Sequence, residues 1–235
     1  MLPKGIVLDL DDTILAFDAV ANPTWQRLCE IYARQLPLCD PIRLYNAIQD
    51  VRTWYWSDPG RHKWARHNLA QLRRAIVRQA FETLGIDNGA LAQEMAETYA
   101  VEREALIALF PRAEETLHYL RDHQVALALI TNGAAQPQRQ KVQRFGLERF
   151  FTTILIEGEV GYGKPEEAIY RRALEDLNLP PDAVWSVGDN LEWDVSVPQQ
   201  LGMQGIWHDV RAQGLPPASP IIPDRIITSI SELMA

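Results

Sequence analysis

The sequence predicts an α/β protein, a doubly wound parallel sheet with an all-helical domain inserted into it. A short apolar run near the N-terminus, Ile6-Val7-Leu8, has the composition of a buried parallel strand. From residue 111 onward the pattern alternates between helix and strand, which is typical of parallel strands joined by right-handed crossovers. Between about residues 18 and 110 there is no strand pattern, so this segment is predicted to be helical.

These patterns divide the chain into a core and an insert. We assign residues 1–17 and 108–235 to the α/β core and residues 18–107 to an inserted helical domain, the cap. Inside the cap, apolar residues recur near helical spacing and loop signals separate four segments. The predicted cap helices cover residues 20–36, 41–56, 62–84 and 89–107.

The core elements follow in regular order after the cap. The predicted helices cover residues 111–123, 136–145, 165–178 and 194–201. The predicted strands cover residues 125–131, 151–156, 183–188, 203–208 and 225–230, and a short helix ends the chain. Strands that alternate with helices in this way build one sheet with helices on both faces.

Composition excludes several classes of protein. The chain has 235 residues, a hydrophobic fraction of 47% and a formal net charge of −8. The net charge argues against binding to nucleic acid polymers. Apolar runs fall short of the ~20 residues of a membrane span, and no signal peptide pattern precedes the first strand, so we expect a cytoplasmic protein that binds no membrane. Cys29 and Cys39 lack metal-site spacing and are predicted to be buried thiols.

A cluster of carboxylates follows the first strand. Asp9, Asp11 and Asp12 come where Ile6-Val7-Leu8 ends, and such a cluster is costly to bury unless a cation offsets it. Hard oxygen ligands suit Mg²⁺, and ligands of α/β sheets bind beyond the carboxyl ends of the strands. The cluster therefore indicates a magnesium site with a candidate carboxylate nucleophile. A solvated turn or a helix N-cap is the alternative.

Three later segments place polar groups where a strand ends or a helix begins. They are Thr131-Asn132-Gly133, Gly161-Tyr162-Gly163-Lys164-Pro165, and Gly188-Asp189-Asn190 with Asp194 close behind. A hydroxyl and an amide near a helix N-terminus can hydrogen-bond an oxyanion. Each segment alone is a common turn or a solvated loop, and only their order and shared position after strands make them specific.

In these motifs the chain resembles the haloacid dehalogenase-like hydrolase superfamily. The four motifs are Asp9-Leu10-Asp11-Asp12-Thr13, Thr131-Asn132, Lys164-Pro165, and Gly188-Asp189-Asn190 with Asp194. They run from residue 9 to residue 194, so the resemblance covers nearly the whole chain. The helical insert resembles the cap of the first subfamily, and the pattern is that of its phosphatases.

The resemblance implies a phosphatase that hydrolyses a small soluble phosphomonoester, a sugar phosphate or nucleotide-like compound, through an aspartyl-phosphate. Asp9 would be the nucleophile, and Lys164 would neutralise charge on the transferring group. Asp11 lies two residues further on, so in an extended strand it projects to the same side as Asp9. Asp11 would protonate the leaving alkoxide and then deprotonate the attacking water.

The same resemblance assigns the metal and the supporting residues. Mg²⁺ would be held by a side-chain oxygen of Asp9, the backbone carbonyl of Asp11 and the side chain of Asp189. The remaining implied roles are phosphate or substrate binding by Thr131, Asn132 and Thr13, and support of the site by Asp194 and Asn190. Asp194 would orient Lys164 or a metal-bound water.

Other activities on this fold remain open at this point. The dehalogenase branch of the superfamily replaces the second acid of the first motif, and Asp11 is present here. A sugar-phosphate mutase would share the core but would hold a bisphosphate. A non-catalytic binding protein would be expected to lack the nucleophile or a metal acid, and this chain has both.

The cap would choose the substrate, and its sequence leaves two interpretations open. Either one or two of its aromatic residues line a pocket, or all of them pack within the cap. These residues are Trp25, Trp54, Tyr55, Trp56 and Trp64. A basic cluster either forms a solvated helix face or steers an anion; it comprises Arg61, His62, Lys63, Arg66 and His67. Phe17 and Asp18 are expected to lie at the hinge into the cap, near the leaving group. This region resembles capped nucleotidases and sugar-phosphate phosphatases, and we expect a monomer or homodimer.

Overall fold

A computed structural model describes residues 2–36 and 39–235, and the chain divides into two compact units. The α/β unit comprises the residues up to Ala16 together with Ala108–Ala235. The helical unit is Phe17–Ile107. No helix among the described residues has an apolar stretch long enough to cross a bilayer.

The helical unit is a bundle of helices around one apolar core. The helices are α1 (Ala21–Ala33), α2 (Pro41–Trp56), α3 (Pro59–His67), α4 (Leu69–Thr83) and α5 (Gly89–Leu106). Asp40 caps α2 by accepting a hydrogen bond from the Ile42 amide, with Pro41 in the first turn. In the core, the rings of Trp25 and Tyr99 stack with centroids 3.6 Å apart.

The prediction of a single helix over residues 62–84 is wrong, because the helix is interrupted at Asn68. This residue has φ −127° and ψ 42°, which ends α3 and begins α4. Its side-chain Nδ2 donates to the carbonyl oxygen of Trp64 at 2.8 Å. Asparagine competes for backbone groups in this way, so it favours helix ends over helix interiors.

The cap aromatics divide between the core and the surface. Trp25 and Tyr55 are buried, whereas Trp54, Trp56 and Trp64 are 51%, 37% and 42% exposed. Neighbouring side chains on a helix point about 100° apart, so Trp54 and Trp56 turn away from the core that Tyr55 enters. Of the two cysteines, Cys29 is a buried thiol, as expected, but Cys39 is only half-buried.

The α/β unit contains a six-stranded parallel sheet, which confirms the predicted doubly wound core. The strands of the unit are β1 (Gly5–Leu8), β2 (Leu15–Ala16), β3 (Ala108–Leu109), β4 (Ala126–Thr131), β5 (Thr153–Ile156), β6 (Val184–Gly188), β7 (Gln204–His208) and β8 (Arg225–Ile227). The sheet order is β5-β4-β1-β6-β7-β8. Gly5 is in register with Ala126 on one side and Val184 on the other, so β1 lies at the centre.

Helices cover both faces of this sheet. They are α6 (Ala113–Asp122), α7 (Ala135–Arg144), α8 (Glu157–Val160), α9 (Glu167–Leu177) and α10 (Val197–Gln200). On one face Val7 and Ile130 pack with Ile169 and Tyr170 of α9. The side chains of the opposite face are buried as well, which explains why these strands are apolar throughout rather than alternating.

Three local features differ from the predictions. β2 and β3 form a small antiparallel pair that the sequence did not predict, with Leu15 opposite Leu109. β8 ends at Ile227, short of the expected residue 230, because Ser229 and Glu232 form a capping box that begins a 3₁₀ turn. The expected helix over 194–201 begins earlier, as a π-helical turn over Leu191–Ser196 followed by α10.

Candidate active site

Three neighbouring strands end side by side at one edge of the sheet. β1 lies between β4 and β6 and runs parallel to both. Asp9 follows β1, Thr131 ends β4, and Asp189 follows β6. Because ligands of α/β sheets bind beyond the carboxyl ends of the strands, the topology brings these side chains to the expected place.

Asp9 is held firmly at the centre of this edge. Its side chain is buried, and its amide donates to the carbonyl oxygen of Val187 on β6 at 3.0 Å. Carboxylate oxygen Oδ1 accepts a hydrogen bond from Lys164 Nζ at 2.7 Å. The other oxygen, Oδ2, accepts one from the buried hydroxyl of Thr13 at 3.2 Å. The structure thus places the Thr13 hydroxyl on Asp9 itself.

Lys164 lies buried between two carboxylates. Its Nζ is 2.7 Å from Asp9 Oδ1 and 2.6 Å from Asp194 Oδ1. Burial by itself lowers the pKa of Lys164, but the charges of Asp194 and Asp9 outweigh that effect and hold the pKa above its usual range. Lys164 is therefore a permanent ammonium group at this site.

Asn132 fixes the loop that carries Lys164. Its Nδ2 donates to the Lys164 carbonyl at 2.7 Å, and its Oδ1 accepts from the Lys164 amide at 2.8 Å. The loop packs tightly here, since a Cβ atom on Gly163 would lie 2.6 Å from Asn132 Oδ1. The Asn132 carboxamide is therefore engaged with protein backbone, and the contact with phosphate predicted for it stays a prediction.

Asp194 reaches the site because Gly188 leaves room for it. A Cβ atom at Gly188 would lie 2.2 Å from Asp194 Cγ, so a larger residue there would displace the carboxylate. Asp194 is buried, and its Oδ2 accepts from the Asn190 amide at 3.0 Å. The Asn190 side chain caps the following turn by accepting hydrogen bonds from the amides of Glu192 and Trp193. Gly188 and Asn190 thus fix the position of the Asp194 carboxylate.

Asp11 meets two polar residues that sequence analysis did not select. Its carboxylate accepts hydrogen bonds from Lys141 Nζ at 2.8 and 2.7 Å and from Gln138 Nε2 at 3.0 Å. Gln138 Nε2 also lies 2.5 Å from Thr131 Oγ1. Both residues lie on α7, three positions apart and beside the buried Val142. Polar residues at core positions of an amphipathic helix were the available signal.

A third residue missed by the sequence analysis supports the second motif. Glu157 is buried, and its Oε2 accepts a hydrogen bond from the Gly133 amide at 2.9 Å. The adjacent Gly158 amide donates to the Gly133 carbonyl at 2.9 Å. Two residues of α8 therefore hold the loop after β4 through the amide and the carbonyl of Gly133.

The carboxylates at this edge carry raised pKa values. Burial raises the pKa of Asp9 to about 7, with Lys164 opposing the shift and Asp194 adding to it. Asp189 reaches solvent, yet its pKa is also raised, first by desolvation among its protein neighbours and then by the charges of Asp9 and Asp194. Burial is thus the main cause of both shifts, and the charges of the neighbouring carboxylates add to it.

The donor set fits a divalent cation. One carboxylate oxygen each from Asp9, Asp189 and Asp194 lies within 4.8 Å of the other two. Four carboxylates and two ammonium groups meet here, those of Asp9, Asp11, Asp189 and Asp194 and of Lys141 and Lys164. Asp12 adds a further negative charge near Asp189, so carboxylates outnumber ammonium groups at this edge of the sheet, and carboxylate oxygens are ligands that Mg²⁺ prefers.

The chain is similar to known proteins in a family model, in sequence and in structure. The family model of haloacid dehalogenase-like hydrolases matches residues 3–202. The chain is 32% identical to phosphoserine phosphatase of Thermus thermophilus, over 92% of each chain. It is 27% identical to glyceraldehyde 3-phosphate phosphatase of Pyrococcus furiosus, over 87% of this chain and 80% of that one. The crystal structure of YfnB from Bacillus subtilis bound to magnesium is similar, with a TM-score of 0.71 and 22% identity over 99% of this chain and 97% of that one.

Proposed function

Because this chain belongs to the haloacid dehalogenase-like hydrolases and is a phosphoric monoester hydrolase, we propose that it is a Mg²⁺-dependent phosphatase using an aspartyl-phosphate on Asp9. The observation that carries the proposal is the buried Asp9 carboxylate, paired with Lys164 at 2.7 Å and followed two residues later by a second acid, Asp11. The family assignment agrees with the resemblance found in the four sequence motifs.

In the first half-reaction, a carboxylate oxygen of Asp9 attacks the phosphorus atom of the ester. The new oxygen–phosphorus bond forms as the bond to the alcohol oxygen breaks, and Asp11 gives its proton to that leaving oxygen. Lys164 offsets the negative charge that collects on the transferring group and lies in a buried site, where such an interaction is strong. Thr131 would hold a phosphate oxygen.

In the second half-reaction, water releases the phosphoryl group. Asp11 takes a proton from the water while the water oxygen bonds to phosphorus, and the bond to Asp9 breaks with its electron pair returning to the carboxylate. Inorganic phosphate leaves, and Asp11 again carries the proton needed for the next leaving group. Asp11 thus serves as acid and base in turn.

The residues available to hold Mg²⁺ are the Asp9 side chain, the Asp11 backbone carbonyl and the Asp189 side chain. Asp194 lies close enough to contribute an oxygen, but it is already paired with Lys164. Bound Mg²⁺ would supply Lewis-acid stabilisation of the charge on the phosphoryl oxygens. The close approach of carboxylate oxygens from Asp9, Asp189 and Asp194 supports this assignment.

We propose a small soluble phosphomonoester as the substrate. The relatives are named for phosphoserine and for glyceraldehyde 3-phosphate, which are both short polar esters. Sugar phosphates and nucleotides are the wider class indicated by the sequence. A 2-haloacid is disfavoured by Asp11, because a dehalogenase needs no second acid there.

Phosphate release from a panel of esters tests the proposal. The panel contains phosphoserine, glyceraldehyde 3-phosphate, hexose phosphates and nucleoside monophosphates, each with Mg²⁺ and with EDTA. We expect Mg²⁺-dependent release, with one chemical class preferred by at least about tenfold in kcat/KM because a pocket must fit the group beyond the phosphate. Activity that persists undiminished in EDTA would contradict the metal assignment, and no release from any ester would contradict the function.

Thermal stability tests the metal site independently of activity. Without metal, the pKa of Asp9 is higher in the folded protein than in the unfolded chain. Asp9 therefore stabilises the fold at low pH, and this contribution is lost as the pH rises from about 4 to about 7. Mg²⁺ binds the deprotonated carboxylates. We therefore expect saturating Mg²⁺ to raise Tm by roughly 5–10 °C near pH 8 and by much less near pH 5.

The matched control for this measurement is Asp189→Asn, which removes one candidate ligand from an exposed position. This variant should lose most of the Mg²⁺-induced rise in Tm at the higher pH. An equal rise at both pH values, or an unchanged rise in Asp189→Asn, would argue against the assigned ligands.

A further inference from the structure

Lys141 and Gln138 are buried polar residues outside the four motifs. Each is 3% exposed, and both belong to the same face of α7. An unpaired buried ammonium is very costly, so Lys141 is tolerated there because it meets a carboxylate. An apolar residue of similar size would stabilise a helix–sheet contact at least as well. The position therefore calls for an explanation beyond stability.

Both side chains converge on Asp11. Lys141 Nζ donates to the two carboxylate oxygens at 2.8 and 2.7 Å. Gln138 Nε2 donates to Asp11 Oδ2 at 3.0 Å and lies 2.5 Å from Thr131 Oγ1. A glutamine amide carries two hydrogens, so one amide group serves both partners. These contacts tie the second acid of the first motif to the hydroxyl of the second motif.

Lys141 and Gln138 both meet Asp11 as hydrogen-bond donors. An ammonium group has hydrogens to donate and no lone pair, and the amide nitrogen of Gln138 likewise only donates. Both oxygens of Asp11 must therefore accept. A carboxyl hydrogen on Asp11 has to turn away from Lys141.

We propose that Lys141 and Gln138 are positioning residues that hold Asp11 as the acceptor of the water proton during release of phosphate from Asp9. This inference rests on the proposed phosphatase function. In that step the water proton moves to Asp11, the water oxygen bonds to phosphorus, and the phosphorus–oxygen bond to Asp9 breaks. In the first half-reaction Asp11 acts as a donor, and neither the ammonium group of Lys141 nor the amide nitrogen of Gln138 can accept from it, so that step gains nothing from these contacts.

Replacing Lys141 with methionine separates the two half-reactions. If only release from Asp9 slows, kcat and KM fall together while kcat/KM, which reports the steps up to phosphorylation, stays within about threefold of wild type. We expect kcat to fall by ~10²-fold, the usual scale for impaired proton transfer. The phosphorylated fraction of the protein, measured by intact mass spectrometry after acid quench, should rise during turnover.

The control is Arg139→Gln on the same helix. It removes a partly exposed positive charge that pairs with Glu159 at 2.6 Å and with Glu148 at 3.8 Å, and kcat should stay within about twofold of wild type. If Lys141→Met does not fold, Gln138→Met carries the same test, because it deletes hydrogen bonds without unpairing a buried ammonium. We expect its kcat to fall roughly fivefold with a rise in the phosphorylated fraction, the readout that a weakened phosphate contact of Thr131 would not raise.

Two results would overturn the inference alone: an unchanged kcat in the folded variant, or a loss of kcat/KM in step with kcat and no rise in phosphoenzyme. A wild-type protein that forms no phosphoenzyme and releases no phosphate would overturn the proposed function and this inference with it. Accumulated phosphoenzyme with preserved kcat/KM would support both.

Discussion

Asp9→Asn should lower kcat by ~10⁴-fold or more while the chain still folds. The carboxamide has nearly the shape of the carboxylate, and its oxygen can still accept from Lys164, which is 2.7 Å from Asp9 Oδ1. It cannot attack phosphorus effectively, because it lacks the negative charge. Removing that charge also relieves repulsion with Asp194 and Asp189. Phosphate release and far-UV circular dichroism measure the two parts of this prediction.

The matched control is Asp122→Asn, which makes the same chemical change at an exposed position of α6. Its turnover should equal that of wild type within error. Asp9→Asn protein that retains a tenth or more of wild-type kcat would exclude Asp9 as the nucleophile.

Lys164→Met should damage both stability and activity. The ammonium lies between Asp9 and Asp194, which are both buried, and the change leaves the two carboxylates facing each other. Breaking a buried ion pair from one side costs about 3–5 kcal/mol, and loss of a charge that stabilises the transition state costs ~10³-fold in kcat. Urea unfolding at neutral pH measures the first effect, and phosphate release measures the second.

A double variant distinguishes charge balance from catalysis. Lys164→Met combined with Asp194→Asn removes one charge of each sign, so it should recover much of the lost free energy of unfolding. Its activity should stay low, because the positive charge beside Asp9 is still absent. An unchanged free energy of unfolding in Lys164→Met alone would mean that the ion pairs of Lys164 with Asp9 and Asp194 do not stabilise the fold.

Local patterns predicted the sheet well because each strand is a short apolar run followed by polar residues. The helix over 41–56 was predicted at its observed bounds, since Asp40 and Pro41 mark its start in the sequence. The break at Asn68 was missed because apolar spacing continues on both sides of it. The Lys141–Asp11 pair was missed for another reason: its partners are distant in the chain and meet only through the crossover topology. Roles assigned to the site residues remain predictions for the experiments above.

The small β2–β3 pair has a consequence for how this chain folds. β1 pairs with β4, and the whole helical insert lies between these two strands in the sequence. Closing so long a loop is entropically costly and slow. The contacts of the insert are largely between helices near in sequence, such as α1 with α2 and α4 with α5, so it can form early. Because Leu15 pairs with Leu109, the two ends of that insert are joined side by side. Once the insert has folded, β1 and β4 are linked by only a few residues before this pair and by the segment containing α6 after it. The loop that must close to pair them is then far shorter than the sequence separation of β1 and β4.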